Sequence, residues 1–61
     1  MKHQILEYLQ AQGPKTVQQI ASDLHLDLDE ATVAVIQMVF DKQVYQEVAD
    51  GTIWFVQEYA A

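Results

Sequence analysis

The chain has no cysteine and no arginine, a single proline, a single serine and only two glycines in 61 residues. Each scarcity excludes something. Without cysteine there are no disulfides and no thiolate zinc sites to brace a small core. Without arginine there is no planar fork for a bidentate grip on phosphate. Three lysines stand against nine acidic residues, a formal charge of −6, which is the wrong sign for attraction to nucleic-acid phosphates. The one serine, Ser22, falls in mid-helix on a polar face with no activating base in the pattern, so nucleophilic catalysis has no starting point. Long apolar runs are missing too. Met1 to Leu9 mixes polar and apolar residues, which predicts neither a signal peptide nor a membrane span, and the chain reads as cytoplasmic.

What is present is a globular balance, with 51% hydrophobic and 20% charged residues. The length fits one domain over residues 1–61, and chains this short bury only roughly 60% of the surface that they expose when unfolded. Helix packing has to supply the stability, with association as the remaining help open to so thin a core.

Ile5, Leu6 and Leu9 recur at helical spacing from Lys2 to Gln12, and Gly13-Pro14 then stops the helix. Lys15 to Val17 is long enough for a stub of strand. Thr16 and Gln19 have the spacing of a capping box and predict a second helix over Val17 to His25, with Val17, Ile20, Ala21 and Leu24 on one face. Asp27 and Glu30 repeat the capping pattern ahead of a third helix, expected from Leu28 to Gln43. Val44 to Ala49 and Thr52 to Gln57 read as strands, and Asp50-Gly51 between them is a strong hairpin signal. The fold class is α+β: a three-helix core followed by a two-stranded hairpin.

With Gly13-Pro14-Lys15-Thr16-Val17-Gln18-Gln19-Ile20-Ala21 leading into the second helix and Leu24-His25-Leu26 at the next turn, the chain resembles the winged helix-turn-helix superfamily over nearly its whole length. His25 stands where that turn commonly has glycine. Small iron-transport-associated members have a comparable size and layout, with wing cysteines that are lacking here. The resemblance implies a regulatory or binding role, and in DNA-binding members the exposed face of the third helix enters the major groove. Here the matching positions carry Asp27, Asp29, Glu30, Thr32, Gln37 and Asp41, with Lys42 the one cation, and the wing tip Ala49-Asp50-Gly51-Thr52 has none. Asp29, Thr32, Gln37 and Lys42 would form the polar reading face if the protein were a transcription regulator.

The third helix is apolar over more than half its circumference, more than one core-facing stripe needs. Leu28, Val35, Ile36 and Val39 are expected in the core, with Ile20, Leu24 and Ile36 where the helices converge. The flanks beside it are Val33 with Phe40 and Ala31, Ala34 and Met38; either one of them is left exposed or the other two helices and the wing together cover both, and the pattern does not choose. Pairing across Asp50-Gly51 puts Val44, Val48, Ile53 and Phe55 on one hairpin face and Tyr45, Ala49, Trp54 and Val56 on the other. Val33, Met38, Phe40, Tyr45 and Trp54 are therefore the candidate contacts of a non-catalytic module that binds a protein partner or its own copy. DNA binding is the alternative, disfavoured by charge. His3 and His25 lack the spacing of a helical metal pair, and Asp27, Asp29 and Glu30 lack that of a calcium loop. No metal, cofactor or small-molecule substrate is expected.

Overall fold

A computed structural model describes residues 1–58. The elements are α1 (Lys2–Gln12), α2 (Val17–Leu24), α3 (Leu28–Phe40), β1 (Val44–Ala49) and β2 (Thr52–Gln57), three helices followed by an antiparallel hairpin. This α+β layout is compatible with a winged helix. None of the described helices is long and apolar enough to cross a membrane.

The local signals act as their chemistry dictates. The Thr16 hydroxyl accepts a hydrogen bond from the Gln19 amide at 3.2 Å, and the Thr16 amide donates to Gln19 Oε1 at 3.0 Å, which closes the capping box. Asp27 accepts from the amides of Asp29 and Glu30 at 3.0 and 3.2 Å. At the hairpin tip Asp50 and Gly51 have φ of 53° and 72°, both positive as a type I′ turn requires. Lys15 forms the strand stub through one bridge: its amide donates to the Phe55 carbonyl, and the Phe55 amide donates back at 2.8 Å.

Two helix ends are closed without glycine. His25 takes φ 56° and ψ 45°, and the amide of Leu26 reaches back to the Ala21 carbonyl at 2.8 Å. Lys42 has φ 63°, with the Gln43 amide donating to the Met38 carbonyl at 2.9 Å. Both are left-handed closures of the Schellman type, which hold side chains in a conformation that costs roughly 1–2 kcal/mol outside glycine. The second explains why α3 ends at Phe40 rather than Gln43: Lys42 reverses the chain so that Val44 can start β1 pointing into the core.

One core joins the elements. Ile5 and Leu9 of α1, Ile20 of α2, Ala34, Val35 and Met38 of α3, Val44 and Phe55 form a single buried cluster, with Leu24, Leu26 and Val39 packed partly against it. Here α3 departs from the expected orientation. Ala31 and Ala34 face inward, Met38 is fully buried, and Leu28 and Ile36 are exposed. At about 100° per residue the buried face lies roughly a quarter-turn from the one expected. Small alanines on the inner face leave room for close packing, and unbranched Met38 adapts to the core cluster that it joins.

Tyr8 of α1 donates a hydrogen bond to the Asp23 carboxylate of α2. The phenol is pushed up to about 12, first by that bond, then by burial and by the carboxylate's charge. Only the protonated phenol can donate, so this contribution to stability is complete below the ordinary phenol value near 10 and is lost as pH rises through about 12. Tyr8→Phe should cost about 1 kcal/mol at neutral pH, and urea melts of the two proteins should converge between pH 10 and 12. A difference that persists at pH 12 would exclude this role for the hydroxyl. His25→Gly should raise stability by up to about 1 kcal/mol, since glycine relieves the left-handed strain at some cost in chain entropy. A lowered urea midpoint would mean that the imidazole contributes more than its backbone costs.

Candidate protein-docking surface

The exposed side of α3 follows from its buried side. With Ala31, Ala34, Val35 and Met38 inward, the positions directly opposite are Asp29, Val33, Ile36 and Phe40, spaced four, three and four residues apart. Phe40 is 80% exposed, Val33 56% and Ile36 42%. A solvent-facing ridge is normally polar, and this one carries three large apolar side chains in line behind one carboxylate.

Two shallow grooves flank the ridge. The first, about 450 Å³, lies toward the start of α1 and is lined by Met1, Lys2, Asp29, Glu30, Val33, Ala34 and Gln37. The second, about 430 Å³, lies between α3 and the hairpin, where Val17, Thr32 and Ile36 face Gln46, Ile53 and Phe55. Ile53 and Val48 sit on the same hairpin face as Val44 and Phe55, as the alternation predicts, but they lie nearer the tip and stay exposed. The apolar ridge thus continues across the second groove onto the hairpin through Ile36 and Ile53.

The five nominated contact residues do not form one patch. Val33 and Phe40 stand on the ridge. Met38 is 0% exposed and takes no part in any surface, because α3 is rotated to bury it. Tyr45, 43% exposed, and the half-buried Trp54 lie on the opposite hairpin face, where the Trp54 indole donates to the Ala49 carbonyl at 3.4 Å. Ile36, expected in the core, belongs to the ridge instead. Its signal was available in the four-three-four spacing that it shares with Asp29, Val33 and Phe40.

The polar residues of the alternative reading are scattered as well. Asp29 heads the ridge, while the hydroxyl of half-buried Thr32 donates to its own helix at the Leu28 carbonyl, 2.8 Å away. Gln37 lines the first groove, and Lys42 stands beyond the helix end. The amides of Asp29 and Glu30 at the start of α3 are already bonded to Asp27, and the side chains of Asp29 and Glu30 add charge of the wrong sign for a phosphate. Elsewhere, His3 pairs with Glu7 at 2.6 Å on the surface of α1, and His25 and Ser22 are exposed. Among the described residues there is no group of three or more side chains suited to holding a metal ion.

Comparison with protein families, with curated proteins and with solved structures finds no match to this chain.

Burial separates the neighbours Met38 and Phe40 sharply. Met38→Ala should cost roughly 2–5 kcal/mol, whereas Phe40→Ser should stay within about 0.5 kcal/mol of the parent. Guanidinium melts of both variants check this, and equal losses would mean that α3 is turned differently.

Proposed function

We propose that this chain is a non-catalytic winged helix module that works by docking onto protein through the outer face of α3 and the adjoining tip of the hairpin. The observation that carries the reading is the ridge Val33, Ile36 and Phe40, solvent-exposed where a DNA-reading helix would present polar side chains. Charge supports it. Tight duplex binders make roughly six to ten phosphate contacts with lysine or arginine, each adding about −0.9 to the slope of log affinity against log salt. Lys2, Lys15 and Lys42 are the whole supply, and they sit in α1, in the strand stub and beyond the end of α3. Even all three together would give a slope of only about −2.7.

Two measurements test the reading. Fluorescence anisotropy with mixed-sequence duplexes at about 0.15 M salt should show nothing tighter than the nonspecific range of roughly 10⁻⁴ to 10⁻⁶ M. Affinity capture from the native source should retain a protein, this chain itself included, with the parent bait and lose it with Phe40→Asp. Sub-micromolar duplex binding, or capture indifferent to Phe40, would overturn the proposal.

A further inference from the structure

The two edges of the hairpin differ. Phe55 gives both its amide and its carbonyl to Lys15, so its backbone points away from β1. Gln46, paired with Phe55, therefore points its own amide and carbonyl away from β2, and by the two-residue alternation of an antiparallel ladder so does Val48. No backbone group among the described residues bonds to Gln46 or Val48 on that side. Val44 shares their phase but is buried. From Tyr45 to Ala49 the strand is exposed, Val48 to 74%. Open edges are usually blunted by proline, lysine or a bulge. β1 has none of these: its residues pair one to one with β2, and Glu47 is its one charge.

Open amides and carbonyls at alternate residues are met by an extended strand, and charge decides which strand. From Gln43 to Glu58 the chain carries Glu47, Asp50 and Glu58, with no lysine, arginine or histidine. Lys15 lies across β2 from this edge, and Lys42 precedes the covered end at Val44. We infer that the open edge of β1 at Gln46 and Val48 takes an extended, cationic segment of a partner protein, added antiparallel as a further strand, with a lysine or arginine facing Glu47 and apolar side chains beside Val48. This surface is separate from the α3 ridge, and the inference does not rest on the ridge being a docking site.

A second copy of this chain fits the edge poorly. Antiparallel self-pairing that uses Gln46 and Val48 of both copies sets Glu47 opposite Glu47, and like charges directly opposite are destabilising. Sliding the copies by two residues removes that contact, but it runs Val48 against buried Val44, or Gln46 against the turn at Asp50. Each chain also has a formal charge of −6, so a cationic segment is drawn in at long range where a second copy is repelled. A strand that alternates basic and apolar residues suits both sides of the edge. Its basic side chains fall on the face of Tyr45 and Glu47, and its apolar ones fall beside Gln46 and Val48.

The probe is a blocked peptide of about eight residues, alternating lysine and valine, followed by amide NMR at low ionic strength, where charge is least screened. The peptide should bind the parent chain and slow hydrogen exchange at the Gln46 and Val48 amides at least about fivefold, with little change at Glu47, whose amide is already paired with β2. The same peptide with glutamate for lysine should bind at least about tenfold more weakly. N-methylation of its valines, which removes the amides aimed at β1, should abolish binding. Glu47→Lys, shown to be folded by its unchanged urea midpoint, should bind the lysine peptide about five- to tenfold more weakly. Phe40→Asp should bind it as the parent does. No binding of the lysine peptide at about 1 mM, or equal binding of the glutamate peptide, would overturn the cationic strand. Protection on α3 instead of at Gln46 and Val48, or loss of binding in Phe40→Asp, would overturn the β1 edge as the site. A parent chain that dimerises by itself with those two amides protected would overturn the proposal in favour of a second copy.

Discussion

The inward facing of α3 at Ala31 and Ala34 is the constraint on which the rest of the structure depends. Two methyl side chains on adjacent turns ask little room of the core, and α3 turns them inward. Once it is set, Val35 and Met38 must be inside, and the row two residues along, about half a turn away, must be outside. The apolar ridge is thus not an independent feature added to the fold. It is what remains of a largely apolar helix after its smallest residues have been given to the core.

The turns answer to a related shortage. With only two glycines available, the chain places ordinary residues in left-handed backbone at three positions, His25, Lys42 and Asp50. Each is held by neighbours that gain from it. At His25 the reversal satisfies carbonyls at the end of α2 and turns Leu26 onto the core. At Lys42 it stops α3 and aims Val44 inward, and at Asp50 it gives the hairpin a twist that matches its strands. Local strain is tolerated because each reversal delivers a buried side chain or a paired strand.

Much of this was legible in the sequence wherever one residue type has one local use. Thr16 with Gln19, Asp27 before α3, Gly13-Pro14 and Asp50-Gly51 mark boundaries by hydrogen-bonding or dihedral chemistry that does not depend on distant packing, and the structure follows them. The end of α3 was less legible because lysine carries no signal for a left-handed closure. The orientation of α3 was open for a deeper reason. Hydrophobicity ranks Leu28 and Ile36 above Ala31 and Ala34 as core residues, but the packing of α3 reverses that order, and packing is a property of the assembled fold. Of the candidate surface, Val33 and Phe40 were one of two flanks that the pattern left open, Met38 was misplaced for the same reason, and Ile36 was hidden behind the assumption that a large aliphatic residue belongs inside.

The bridge between Lys15 and Phe55 has a consequence for how the molecule assembles. Each helix, and the hairpin itself, forms from residues close in sequence, whereas this bridge ties the segment before α2 to a strand near the far end of the described chain. It can close only after α2 and α3 have folded back, so its loop-closure entropy falls late on the folding route, after the local contacts are in place. The same ordering runs backward under native conditions. Release of the hairpin from the helices would break this bridge and draw Phe55 out of the core. The Phe55 amide, bonded to Lys15 rather than within the hairpin, reports that opening in hydrogen exchange.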